Sequence, residues 1–179
     1  MKKIFLLCIS LIIILFITGI LIYEFVYLND YTNSLYVVAS SDGHTKFYEI
    51  NDHGGKREVP RFDYDYENIY YPVGCFEAYI DRDKNKVLNN LTLQTCHIVD
   101  QLENEVEPDD TLLAIIEEIS KLEHDLLRVR INQTEKAYYV TVELNVNWIE
   151  PYDFYKYEDG KLNRIISLDG EDILYVKEK

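Results

Sequence analysis

The chain has 179 residues, 47% of them hydrophobic, and a formal net charge of −14 at pH 7. A surface that acidic is repelled by phosphate backbones and anionic lipid headgroups, which excludes nucleic acid as a partner. Beyond its apolar N-terminus the chain is long enough for one domain with its own core.

Residues 4–23 are twenty consecutive positions without a charge, preceded by Lys2 and Lys3. As a helix such a run is about 30 Å long, which matches the hydrocarbon core of a bilayer. It continues past Glu24 into Phe25, Val26, Tyr27 and Leu28, and Tyr23 and Tyr27 fall where an interfacial aromatic belt would sit. A cleaved signal peptide would have a shorter apolar core and a small-x-small cleavage site, and no Ala-x-Ala-like triplet follows this run. A lipoprotein signal would place its cysteine after the core, whereas Cys8 lies inside it. The expectation is a retained signal anchor over residues 4–28. Positive flanks stay cytoplasmic, so residues 1–3 become a cytoplasmic tip and residues 29–179 an extracytoplasmic domain. Ser10, Thr18 and Gly19 form either a helix-pairing face or part of an ordinary lipid-facing surface.

After a polar link over residues 29–34, residues 35–39 read as a strand. Asp42-Gly43 is a type I′ hairpin signal that pairs Val38 with Phe47, Val37 with Tyr48 and Leu35 with Ile50. Gly54-Gly55 marks a second turn within residues 51–56. Residues 61–72 are rich in Tyr and acid without periodicity, and read as a partly extended loop. Asp63, Asp65 and Glu67 alternate like the start of a calcium loop, but the glycine and the final Glu that such a loop needs are missing.

Residues 75–84 and 87–96 can form a hairpin turning at Asn85-Lys86. Ile80 then faces Leu91, Ala78 faces Leu93, and Cys75 falls opposite Cys96. That register makes Cys75 and Cys96 the candidate disulfide, which would persist outside the cytoplasm. The alternative is two reduced thiols. A helix competes with the second strand, because Leu88, Leu91, Thr95, Ile98 and Leu102 also fit a 3.6-residue period.

Pro108-Asp109-Asp110-Thr111 opens the main soluble helix, with proline in its first turn and the aspartates at the positive end of its dipole. Leu112, Ile115, Ile116, Ile119 and Leu122 recur on one face and should lie on a sheet. Residues 126–131 read as a strand ending in a turn at 133–136. Tyr138, Val140, Val142, Leu144, Val146 and Trp148 then alternate with Tyr139, Thr141, Glu143, Asn145 and Asn147, the pattern of a strand with one buried and one polar face. Two further Asp-Gly pairs, 159–160 and 169–170, predict a three-stranded meander over residues 152–177 that aligns Phe154, Ile165 and Leu174 in one row. The fold class is therefore α+β: an N-terminal transmembrane helix, then a mostly antiparallel β domain under one main covering helix. Sixteen Tyr residues suit strand surfaces, and an exposed cluster of them also suits recognition.

Chemistry is sparse. His44, His53, His97 and His124 are scattered without zinc-ligand spacing. There is no P-loop, Gly-rich dinucleotide turn or Ser–His–Asp order, so no cofactor or catalytic residue is assigned. Asn90-Leu91-Thr92 and Asn132-Gln133-Thr134 match the glycosylation sequon, a pattern frequent by chance. The expectation is a non-catalytic, membrane-tethered protein binder whose partner is basic, with an immunity-type protein as one version. The alternative is an envelope hydrolase or small-ligand module with a site assembled from distant residues.

Overall fold

In a computed structural model of the chain, residues 2–64, 67–73, 80–81, 86–87, 97–122, 127–144 and 151–179 are described. The apolar run forms α1 (Lys2–Ile22), which ends in a π-helical turn, Tyr23–Tyr27, closed by the Leu28 N–H donating to the Tyr23 carbonyl at 3.1 Å. This helix is long and apolar enough to cross a membrane, and none of the span Cys8–Tyr27 is buried by the rest of the chain.

The domain after it is α+β and almost entirely antiparallel. Its strands are β1 (Leu35–Ser41), β2 (His44–Ile50), β3 (Lys56–Glu58), β4 (Ile69–Val73), β5 (Ile80–Asp81), β6 (Lys86–Val87), β7 (His97–Asp100) and β8 (Glu105–Val106). Helix α2 (Asp110–Ser120) then leads to β9 (Leu127–Gln133), β10 (Tyr138–Leu144), β11 (Pro151–Glu158), β12 (Lys161–Asp169) and β13 (Asp172–Glu178). One sheet runs β13-β1-β2-β3 and a larger one runs β12-β11-β10-β9-β4-β7-β8. Helix α2 covers the outer face of the large sheet, and the small sheet packs on its inner face.

The first hairpin has the register read from its sequence: Leu35 opposite Ile50, Val37 opposite Tyr48 and Val38 opposite Phe47. Asp42 and Gly43 both take positive φ, 50° and 75°, as a type I′ turn requires. Asp159 and Gly160 do the same, at 53° and 74°, and join β11 to β12. The third Asp-Gly pair behaves differently, and the predicted meander is corrected there. Only Gly170 is left-handed (φ 66°), and Asp169 remains the last residue of β12. The two-residue type I′ turn, which needs positive φ at both positions, is therefore not formed here. The chain crosses instead to the other sheet, where β13 pairs with β1. That exchange buries Ile173 and Val176 against Leu168 and Phe154 between the sheets. A bulge after Phe154 also sets Phe154 opposite Ile166 rather than Ile165.

A second correction concerns β10. Val140 and Val142 face α2, as the period-two pattern implies, but the expected polar face is covered too. Tyr139 and Thr141 are buried against the small sheet, with Tyr139 stacked on Phe154 at 5.8 Å between ring centroids. A large sheet sandwiched on both sides has no wet face for its central strands.

Helix α2 starts at Asp110, two residues after Pro108, which lies just before the N-cap rather than in the first turn. Asp109 is the N-cap, and its side chain accepts from the Leu112 N–H at 2.8 Å. Leu112, Ile115, Ile116 and Ile119 are all buried, and each fully buried side chain of this kind contributes roughly 1.5–3 kcal/mol before entropy is charged against it. The aperiodic segment over residues 61–72 has a role that composition did not show. Phe62 and Tyr64 lie over the exposed side of the small sheet, with Phe62 against Tyr36 and Phe47, before the chain enters β4.

The hairpin over residues 75–96 falls largely outside the described residues. Its described part pairs Ile80 with Val87 and Asp81 with Lys86, four positions away from the predicted register. Lys86 would need positive φ in a two-residue turn, which its Cβ disfavours, whereas as a strand residue it has no such strain. That ladder is not the one that set Cys75 opposite Cys96. Both cysteines lie outside the described residues, and the described residues contain no disulfide.

Candidate binding cleft between the sheets

Strand β9 decides what lies at the open edge between the two sheets. Val129 and Ile131 point to α2, so Arg130 and Asn132 point to the small sheet. Arg130 reaches across and donates from Nη1 to Asp172 Oδ1 and to the Ile173 carbonyl, both at 2.5 Å. Its guanidinium also lies 5.1 Å over the Tyr71 ring. Asn132 is only 1% exposed, and neither its Nδ2 nor its Oδ1 has a hydrogen-bond partner. Leaving such a buried amide unpaired costs about 1–3 kcal/mol, so a fold tolerates it only for a reason.

Asn132 lines a cleft of about 450 Å³ between β9 and β13. One end is formed by Glu67 and Asn68, with the Gln133 N–H donating to the Asn68 carbonyl at 2.8 Å. The other end is closed by Glu178, which accepts from Thr134 Oγ1 at 3.2 Å and Tyr139 Oη at 3.3 Å and pairs with Lys136 at 3.4 Å. Among the described residues the lining contains no histidine.

Neither a family profile, a curated protein nor a solved structure matches the chain.

Two buried carboxylates lie outside the cleft. Glu49, 2% exposed, accepts from Ser34 Oγ, Arg57 Nη2 and Lys179 Nζ, each at 2.5 Å. Burial pushes its pKa up, but the bonds from Lys179, Ser34 and Arg57 outweigh it and hold the carboxyl at about 2. Glu171 accepts from Tyr48 Oη at 2.6 Å, Lys56 Nζ at 2.5 Å and Lys46 Nζ at 3.3 Å. Burial raises its pKa as well, and its three donors carry the net shift below the ordinary carboxylate value. A carboxylate with so little proton affinity is a poor general base at neutral pH. Both are structural clamps.

The residues singled out in the sequence do not converge. Cys8 is an exposed free thiol on α1, and Cys75 and Cys96 lie outside the described residues. His53 packs edge-on to Tyr27 at 5.0 Å, and His97 pairs with exposed Glu105 at 3.2 Å. His44 ends the first hairpin turn, and His124 lies outside the described residues. Asp65 lies outside them too, and among those described no three His, Cys, Asp or Glu side chains group as a metal site. Burial closes Asn132 to a glycan. The sequence reading missed Asn132 as a site residue because it ended the strand at Ile131. Two more residues of the same alternation place it on the face of Arg130.

Proposed function

We propose that the protein is a single-pass, membrane-tethered domain that binds another protein outside the cytoplasm, without catalysis of its own. An immunity-type protein that guards its cell against a basic toxin is one version of this role. Lys2 and Lys3 before α1 favour a cytoplasmic N-terminus and hence an external domain. The carrying observation is where the cations go. Glu49 and Glu171 together draw in Lys46, Lys56, Arg57 and Lys179, four of the eighteen lysines and arginines. The rest of the chain is therefore even more acidic than its formal charge, a field that attracts and orients a cationic protein.

The full-length chain in nanodiscs of zwitterionic lipid, exposed to envelope extract, tests this. A cationic protein should be retained, with recovery falling severalfold between about 50 and 300 mM salt as the Debye length shrinks. Retention of nothing above empty nanodiscs, or recovery indifferent to salt, would overturn it. A second reading, a small-ligand module, is favoured by the cleft volume alone, which lies within the roughly 300–1,000 Å³ of ligand pockets.

A further inference from the structure

We infer that the domain stands on the bilayer in one fixed orientation, with the turn between β2 and β3 set into the lipid headgroup layer beside Tyr23 and Tyr27. This rests on the membrane tether proposed above and deepens it, since it makes the connection to the domain rigid and gives one face of the domain a lipid partner.

Residues 29–34 are a polar link by composition, yet their backbone is held at almost every step. The carbonyls of Tyr27, Leu28 and Asp30 all accept from Asn51 Nδ2 at 2.9–3.0 Å. The Tyr31 carbonyl accepts from Lys179 Nζ at 3.0 Å, and the Ser34 carbonyl from the Lys179 N–H at 3.3 Å. The Tyr31 ring lies under the Arg57 guanidinium at 4.2 Å, and Arg57 is itself bonded to Glu49. Asn29 Nδ2 donates back to the Glu24 carbonyl at 2.8 Å, which ties the start of the link to the helix. A link with its carbonyls so occupied does not swivel, so the direction of the helix sets the direction of the domain.

The turn between β2 and β3 meets that helix at its aromatic end. Tyr23 Oη donates to the His53 carbonyl at 3.4 Å, and the His53 ring stands edge-on to Tyr27 at 5.0 Å between centroids. Tyrosines at the end of a membrane span sit at headgroup level. His53 touches both of them and therefore shares that level, with its side chain and that of Asp52 exposed. Its ring, like theirs, has an apolar body and a polar tip, so the domain adds a third member to the aromatic belt. Lipid is the occupant because this surface continues an apolar span that nothing in the chain buries. Strands β1 and β2 run away from this end, and Ser41 lies about 20 Å along β1 from Leu35. The Asp42-Gly43 turn is at the opposite end, beside the start of β13, where Ser40 pairs with Asp172. That end is the one presented to an approaching protein.

The test uses the isotope-labelled full-length chain in nanodiscs of zwitterionic lipid doped with a headgroup-nitroxide lipid, reading the paramagnetic broadening of each backbone amide. Broadening should be severalfold stronger at Asp52, His53 and Gly54 than at Asp42, Gly43 and Gly170. A variant with about ten Gly and Ser residues inserted between Asn29 and Asp30 supplies a floating reference, since such a linker is a flexible coil. It should show much less contrast between the two ends. Native broadening as level as in that variant, or strongest at Asp42 and Gly170, overturns the fixed orientation. A nitroxide deep in the acyl chains reads the tether separately, at the amides of Leu11, Leu15 and Gly19. If it broadens them while the headgroup contrast is missing, the tether stands and the orientation falls. If it leaves them sharp, the tether falls and the orientation with it.

Discussion

Gly55 and Leu28 meet with no room for a side chain between them: a Cβ on Gly55 would overlap the Leu28 carbonyl oxygen. Around this contact the β2–β3 turn grips the foot of the N-terminal apolar helix. Asn51 donates from Nδ2 to the carbonyls of Tyr27, Leu28 and Asp30 at 2.9–3.0 Å, and its Oδ1 accepts from the N–H groups of His53 and Gly55. The carbonyls that a helix end leaves unpaired are thereby satisfied by the domain, and the domain is held to the apolar helix by more than a covalent link.

Gly55→Ala should therefore destabilise the domain and loosen its attachment. The added methyl meets backbone, which cannot swing aside, so a loss of about 1–3 kcal/mol is expected. A thermal melt of the full-length chain in nanodiscs measures it. Gly19→Ala, where nothing lies within 4 Å of the new carbon, should leave the melt unchanged.

Glu49 makes stability fall in acid. Its folded pKa of about 2 lies below its ordinary 4.5, so the carboxylate form is the one the fold favours. Its contribution is complete above pH 4.5 and is lost as pH falls through the folded value. A shift of this size corresponds to about 3 kcal/mol. Urea unfolding at about pH 6 and about pH 3 should show the loss in the native chain. Glu49→Gln should be less stable at pH 6 and should show a smaller loss over the same interval. An unchanged pH dependence in that variant would remove Glu49 from the account.

Phe154 is fully buried between the sheets, stacked on Tyr139. Phe154→Ala should lose about 3–5 kcal/mol, and Phe154→Leu distinctly less, since the leucine refills most of the cavity. Chemical denaturation of the two variants side by side checks the order.

Asp109 caps α2, and Asp109→Ala should lose about 1 kcal/mol. Asp109→Asn keeps an oxygen that can accept the Leu112 N–H and should restore most of that loss. A melt in which the Asn and Ala variants coincide would contradict the capping assignment.

What was legible in the sequence was local. Asp42-Gly43 is confined to the left-handed conformations of a type I′ turn, so it fixes its own hairpin pairing by pairing. The apolar spacing from Leu112 to Ile119 places one face of α2 on a sheet by helical geometry alone. The N-terminal apolar run is long and apolar enough as a helix to cross a membrane. The candidate site was hardly legible at all. Asn132 stands in an ordinary alternating strand, and its unpaired state depends on what the second sheet brings opposite it.

Sequence alone thus determined the membrane-length helix, the α+β class, the first hairpin and α2, because each is governed by dihedral preference or by periodicity within a few residues. Tertiary structure decided which sheet β13 joins, that β10 is covered on both faces, and that Asn51 and Gly55 hold the end of the apolar helix. Those outcomes depend on burial between segments as far apart as Ser34 and Lys179, where any local pattern is satisfied by more than one arrangement and only the packed core chooses.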